Sequence, residues 1–151
     1  MILEGLSEPD LKIRPNPDKW SIHEQIAHLG AYQPVFLNRM RRILTEDSPA
    51  FEPYVADHDP HFKDWVHGKS TELAVREMDA FREEILSFYA DLDKKDADRK
   101  GLHPRYGLLS IHDWMGFFLL HEGHHLFNSM VLKGAVLKMK AETIQSSNEV
   151  K

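Results

Sequence analysis

Residues 110–132 read SIHDWMGFFLLHEGHHLFNSMVL. Trp114, Phe118, His121, His125, Asn128 and Leu132 recur in steps of four and three, so one stripe of an α-helix carries them all. Ser110, followed three residues on by Asp113, supplies a capping box where that helix opens. Three of these six positions are polar, on the face a helix ordinarily turns to its core. His121 and His125 are four residues apart, about 40° from one another around the axis and one turn apart. The pair therefore points inward. A buried imidazole without a partner forfeits hydrogen bonds worth about 1–3 kcal/mol, and two adjacent imidazolium ions would be worse. A divalent metal ion removes the difficulty because it takes neutral imidazole nitrogens directly. Since the ligands must be neutral, affinity for the ion is expected to fall below about pH 6.5, where free imidazole protonates.

A third ligand is sought upstream. From Trp20 to Leu44 the residues Ile22, Ile26, Leu29, Phe36, Met40 and Ile43 follow helical spacing, with Gln33 as the one gap, behind a Ser21/Glu24 capping box. Pro34 is expected to clash with the Gly30 carbonyl and kink this helix. His28 falls about 100° from the centre of the stripe, on a flank with Tyr32 and Val35 that a second neighbouring helix can reach. A single histidine so placed is more often a hydrogen-bonded core residue, but the pair elsewhere makes His28 the best candidate for the third nitrogen. Three neutral nitrogens without a fourth protein ligand leave an open position, the arrangement of a catalytic site. Zinc, nickel or iron suits such donors better than magnesium or calcium.

Ala74, Met78, Phe81, Ile85, Phe88 and Leu92 predict another helix over Thr71–Leu92. Residues 45–69, with Pro49, Pro53 and Pro60, read as a long crossing connection holding one short helical turn near His61–Val66. Asp93–Leu109, punctuated by Gly101, Pro104 and Gly107, reads as a solvated loop. Gly134 is expected to stop the last long helix, with a separate short helix over Ala135–Ile144 and a polar tail from about residue 145. No stretch alternates with period two. The expectation is one all-α bundle domain over residues 1–151.

Composition narrows the chemistry. The chain has no cysteine, which excludes disulfides, Cys-ligated metals and a thiol nucleophile of its own. Nineteen Lys+Arg against 24 Asp+Glu, with no basic block, argue against nucleic acid and for a small-molecule substrate. No apolar run approaches the roughly 18 residues of a membrane span, and an N-terminus bearing Glu4 and Glu8 lacks the basic start of a signal peptide, so a cytoplasmic location is expected.

Residues 121–125 also satisfy H-E-x-x-H, in which Glu122 would be the general base of a zinc protease. The longer signature fails, because Asn128 and Val131 stand where it requires glycine and histidine. Glu122 is also turned about 100° from His121. His124 lies off the stripe and is not expected to ligate. His23, His58, His61, His67, His103 and His112 fall in loops or at helix starts, and of these His58 and His61 are the two that a crossing loop can lay over the site.

Three stretches together, KWSIHEQIAHL at 19–29, His103-Pro104-Arg105-Tyr106-Gly107, and HEGHHLFN at 121–128, resemble the DinB-like superfamily of metalloenzymes, the DinB/YfiT type. The family's W-S-x-x-E-x-x-x-H-L element falls on Trp20–Leu29, its H-P-x-x-G turn on His103–Gly107, and its H-x-x-H-H element on His121–His125, so the resemblance covers about residues 4–134. It implies a four-helix bundle and a metal triad of His28, His121 and His125, with Asn128 where the family often has glutamine. It implies activity of one of two kinds, thiol-dependent S-transfer using a low-molecular-weight thiol such as bacillithiol or mycothiol, or metal-dependent hydrolysis. A non-enzymatic, stress-associated metal-binding bundle is the competing class. Family members carry a full helix before the tryptophan motif, whereas Met1–Pro17 here contains Pro9, Pro15 and Pro17. The first helix is thus expected to be shortened or missing. The exposed core would then be closed by residues 1–8, by Val136–Ile144, or by a second copy packed on Phe117, Leu120, Phe127 and Met130, so a homodimer is expected.

Overall fold

The computed structural model describes residues 2–149, with side chains as far as residue 146. Its elements in chain order are α1 (Glu8–Leu11), α2 (Ile22–Thr45), a 3-10 turn (Ala56–His58), α3 (Pro60–Gly68), α4 (Thr71–Ala90), α5 (Lys94–Ala97), β1 (Lys100–His103), β2 (Gly107–Ser110) and α6 (Ile111–Glu149). Capping boxes start two of the long helices as expected. The Ser21 hydroxyl accepts from the Glu24 amide while the Glu24 carboxylate accepts from that of Ser21, and Ser110 and Asp113 repeat the exchange at 3.1 Å in both directions.

α2 is the axis of the bundle. Every residue from Ser21 to Gln33 is buried, because α3, α4 and α6 all pack on this helix. It continues through Pro34. One core lies between α2, α4 and α6, around Phe36, Met40, Ile85, Trp114 and Phe118. The second lies at the other end, where Ile22, Ile26 and Ala31 meet Phe62 and Trp65 of α3 and Ala74 of α4. Gly30 makes the α2–α3 contact: a Cβ there would stand 1.9 Å from the Trp65 ring, so only glycine admits the indole.

The shortened first helix is α1, four residues long. Leu3, Leu6 and Leu11 pack into the second core, and Lys140 Nζ lies 2.6 Å from Asp10 Oδ2, so the N-terminal segment and short α3 together close the side that a full helix would cover.

Two stretches depart from expectation. α6 does not stop at Gly134 but runs unbroken to Glu149, so there is no separate helix over Ala135–Ile144 and residues 145–149 are helical. A single glycine costs a helix only about 1 kcal/mol against alanine, and here the fully buried Val136 carries the packing past it. The supposed loop over Asp93–Leu109 contains α5 and an antiparallel hairpin, with Gly101 opposite Leu109 and His103 opposite Gly107. Strands of four residues are too short for period two to be seen. Gly107, at φ +79°, makes the left-handed turn. Leu102 bonds both ways to the crossing segment, its amide to the Pro49 carbonyl at 2.8 Å and its carbonyl to the Phe51 amide at 3.2 Å. The hairpin and the crossing segment thereby form one cap over the end of the bundle.

Candidate metal centre

α2 supplies His28 and α6 supplies His121 and His125, and the packing of the two helices brings the three side chains together. His28 Nε2 lies 2.9 Å from His121 Nε2, and His125 Nε2 lies 3.2 Å from the same atom. An ion bound to imidazole at about 2.0–2.1 Å separates its nitrogens by about 2.9 Å at a right angle and about 3.3 Å at the tetrahedral angle, so the spacing fits a shared ion. Among the described residues this is the one group of three or more potential ligands that converges in this way, and no carboxylate belongs to it.

The rings cannot satisfy one another by themselves. A neutral imidazole has one N–H. If His28 and His125 both donated from Nε2 to His121, the His121 proton would sit on Nδ1 and the His28 Nδ1 would be a bare lone pair. Those two Nδ1 atoms are buried without a partner in either case, but the His125 Nδ1 would also be a bare lone pair, facing the Gln25 Oε1 oxygen. With a cation among the Nε2 atoms each Nδ1 carries its proton, and His125 Nδ1 then donates to Gln25 Oε1, 2.5 Å away. The donor set fits a divalent metal.

Burial holds all three rings in the neutral, ligating form. Desolvation first, and then the neighbouring histidines, push His28 down to about 3 and His121 and His125 down to about 4. This corrects the expectation of protonation near pH 6.5, which holds for a solvated imidazole. The wall around them is aromatic. The Trp20 ring centroid is 5.0 Å from that of His28 and 6.1 Å from that of His125, Tyr32 is 4.9 Å from His121, and Tyr54 is 5.7 Å from His28. Such packing fixes the ring planes without offering a competing acceptor.

A cavity of about 630 Å³ opens onto the three histidines. Its walls are α2, the crossing segment at Pro53–Asp57, the hairpin turn at His103–Tyr106, and Phe117 of α6. The crossing segment reaches the site through Tyr54, whose hydroxyl donates to Asp59 at 2.7 Å, whereas His58 and His61 do not line this cavity. His124 is exposed, with its Nε2 3.0 Å from Asn128 Nδ2, so neither joins the cluster. His23 is a core histidine: its Nδ1 lies 2.8 Å from the Thr71 hydroxyl and its Nε2 3.0 Å from the Val66 carbonyl, tying α2 to α3 and α4. His112 meets the Tyr89 hydroxyl at the surface. Glu122 turns to α4 and pairs with Arg82, away from the three nitrogens, which removes the protease role the H-E-x-x-H spelling suggests.

Two residues at the site carry sequence signals that stripe counting passes over. Gln25 is three residues before His28 on the same helical face, and it supplies the amide that Asn128 does not. His103 stands on the cavity wall within the H-P-x-x-G turn.

A helical bundle capped by a small hairpin, with three histidine nitrogens gathered from two helices beside a cavity, defines the class: a bundle with a candidate three-histidine metal centre. The chain belongs to the DinB superfamily, whose family model matches residues 1–126. It is 27% identical over 146 residues, covering 87% of this chain and 88% of the other, to "Uncharacterized protein YuaE" of Bacillus subtilis (strain 168). It is 26% identical over 107 residues, 71% of this chain and 61% of the other, to a protein of Oceanobacillus iheyensis named "Putative metal-dependent hydrolase OB0782". Its fold matches that of YfiT from Bacillus subtilis, described as "a probable metal-dependent hydrolase with an unusual four-helix bundle topology", with a TM-score of 0.75 at 18% identity over 87% of this chain and 75% of that one.

Proposed function

We propose that His28, His121 and His125 hold one divalent transition metal, zinc or nickel before iron, and that the protein is a metal-dependent enzyme acting on a small molecule in the adjoining cavity. The observation that carries this reading is the meeting of three histidine Nε2 atoms from two helices, 2.9 and 3.2 Å apart, at the spacing of ligands to one ion. An ion bound there supplies a lowered pKa to water or to a thiol, which becomes a nucleophile near neutral pH. The protein's part is to keep the rings neutral and oriented, to exclude bulk water with Trp20, Phe62, Tyr32 and Tyr54, and to seat the electrophile.

Between the two nucleophiles the site favours a low-molecular-weight thiol. Hydrolysis gains from a carboxylate that takes a proton from water. Among the described residues no carboxylate joins the histidines, Glu122 is committed to Arg82, Asp59 is held by Tyr54, and Asp57, the carboxylate that lines the cavity, is not one of the converging groups. A thiol is acidic enough to need no such base. Hydrolysis is the second reading, supported by the descriptions of OB0782 as a "Putative metal-dependent hydrolase" and of YfiT as "a probable metal-dependent hydrolase". The zinc-loaded protein is tested with an activated aryl halide in the presence and absence of cysteine, and with an activated ester alone. Metal-dependent turnover that requires the thiol supports S-transfer, ester cleavage without thiol supports hydrolysis, and no turnover of either kind points to the non-enzymatic class.

We also propose that the protein is a homodimer joined through α6. Opposite its buried stripe, Gly116, Leu120, Gly123, Phe127, Met130, Gly134 and Leu137 recur in unbroken steps of four and three, the spacing of a helix–helix seam. Leu120 is 75% exposed, Phe127 65% and Met130 61%. A Cβ on Gly116, Gly123 or Gly134 would meet nothing within 4 Å, so the chain's own packing does not call for these glycines, whereas close approach of a second helix does. Light scattering should give twice 17.5 kDa for the native protein and the single mass for Phe127→Glu. A native protein that is monomeric at micromolar concentration contradicts the dimer.

A further inference from the structure

The cavity wall away from the histidines holds a cation that no carboxylate among the described residues neutralises. Arg39 of α2 is 8% exposed and lines the cavity, yet among the described residues it has no carboxylate partner. Its guanidinium donates to the Glu52 carbonyl at 2.7 Å and to the Tyr32 hydroxyl at 3.4 Å, and otherwise lies against the rings of Phe51, Trp114 and Tyr32, with centroids 5.5, 5.8 and 6.0 Å away. A guanidinium has five N–H groups, so two directed bonds leave most of its fork free. Burying a cation without a counter-charge is costly, and anchoring a loop through one carbonyl needs only a neutral N–H donor.

A second group on the same wall points the same way. His103 Nδ1 accepts from the backbone amides of Arg105 and Tyr106 at 3.0 and 3.1 Å, which puts the imidazole proton on Nε2. His103 lines the cavity and carries its ring N–H on Nε2, with exposed Arg105 at the rim. Asp57 is the one carboxylate among the residues lining this cavity, and its charge acts on Arg14. Donors thus dominate the wall, one tyrosine ring from the three histidine nitrogens, because Tyr32 receives Arg39 at its hydroxyl and packs its ring on His121.

We infer that Arg39, assisted by His103, is an anion-binding subsite, so that the substrate carries a carboxylate at one end and presents its reacting group to the histidines at the other. This names the substrate class for the metal-dependent activity proposed above, and rests on that reading only for which end reacts. The aromatic lining and a volume of about 630 Å³ suit a carboxylate on a small apolar or aromatic body.

Phenylacetate and its neutral isostere phenylacetamide, titrated by calorimetry into zinc-loaded protein and again after chelation, test the subsite without any turnover. The native protein should bind the carboxylate at least tenfold more tightly than the amide in both states. Arg39→Met, which keeps the apolar stem, should abolish the preference, and Arg39→Lys, which keeps the charge without the fork, should retain part of it. Equal binding of the two probes by the native protein overturns the inference, and so does a preference that survives Arg39→Met. A preference that vanishes on chelation would place the carboxylate at the histidines instead. Because the chelated arm needs no metal, failure of the metal reading leaves this outcome separately legible.

Discussion

Gln25→Ala is the change whose consequence follows most directly from the geometry. Of the three clustered rings, only that of His125 has its Nδ1 bonded within the protein, to Gln25 Oε1 at 2.5 Å, while the Nδ1 atoms of His28 and His121 have no partner. Truncation leaves a buried N–H without an acceptor and frees the imidazole to turn about its last bond, although Trp20 still packs on its face. Outer partners of metal-bound histidines typically contribute 10–100-fold in affinity, or about 1.4–2.7 kcal/mol, which agrees with the about 1–3 kcal/mol of an unmet buried donor. At saturating metal the same energy is lost from the folded state, a fall in Tm of roughly 3–10 °C for a chain of this size. Competition for zinc against a chromophoric chelator measures the affinity, and melting of the chelated protein separates a metal effect from a packing effect. Gln25→Glu keeps an acceptor and should bind at least as tightly as the native protein. Zinc affinity of Gln25→Ala within twofold of native would refute the assigned role of Gln25.

Acid should destabilise the metal-free protein over a defined window. The three histidines have folded values of about 3 to 4 against 6.5 in the unfolded chain, so the unfolded state takes up protons first as pH falls. Their contribution is complete above about pH 6.5 and is lost progressively down to about pH 4 for His121 and His125 and about pH 3 for His28, no more steeply than about 1.4 kcal/mol per pH unit for each ring, so Tm against pH should flatten when one histidine is replaced by alanine. Gly30→Ala should lower stability by about 1–3 kcal/mol or more in denaturant melts, since its methyl group must displace the Trp65 indole; an unchanged midpoint would show that α3 can shift without cost. Glu122→Gln should leave metal content and turnover intact while lowering stability through the lost Arg82 pair, and loss of turnover in a folded, metal-replete variant would restore the general-base role.

The parts of this structure that could be read from the chain are those where many residues repeat one signal. Helices α2 and α4 each carry six apolar positions at helical spacing, and two capping boxes mark starts that the structure keeps. His121 and His125 stood out because they interrupt such a pattern. Along α6 the count drifts all the same. A period of 3.5 places Asn128 on the inner face, while the true 3.6 turns Ser129 inward, 1% exposed, and leaves Asn128 beside exposed His124. Non-local contacts left no local trace. The hairpin is held by the crossing segment through Leu102, the helix past Gly134 by Val136 in the core, and the cavity face of His103 by a turn far from α2 in sequence. Arg39 is silent for the same reason, since a single arginine on a helix reads as solvated until Tyr32, Phe51 and Trp114 are seen to enclose it.

The central claim is that three nitrogens from two helices share one ion, and the metal content of purified protein dialysed against limiting zinc or nickel tests it most directly. The account predicts one equivalent per chain in the native protein and in His124→Ala and His112→Ala, and a sharp loss in each of His28→Ala, His121→Ala and His125→Ala with helical circular dichroism retained. Full occupancy in a folded His28→Ala protein, or no binding by the native chain, would contradict it.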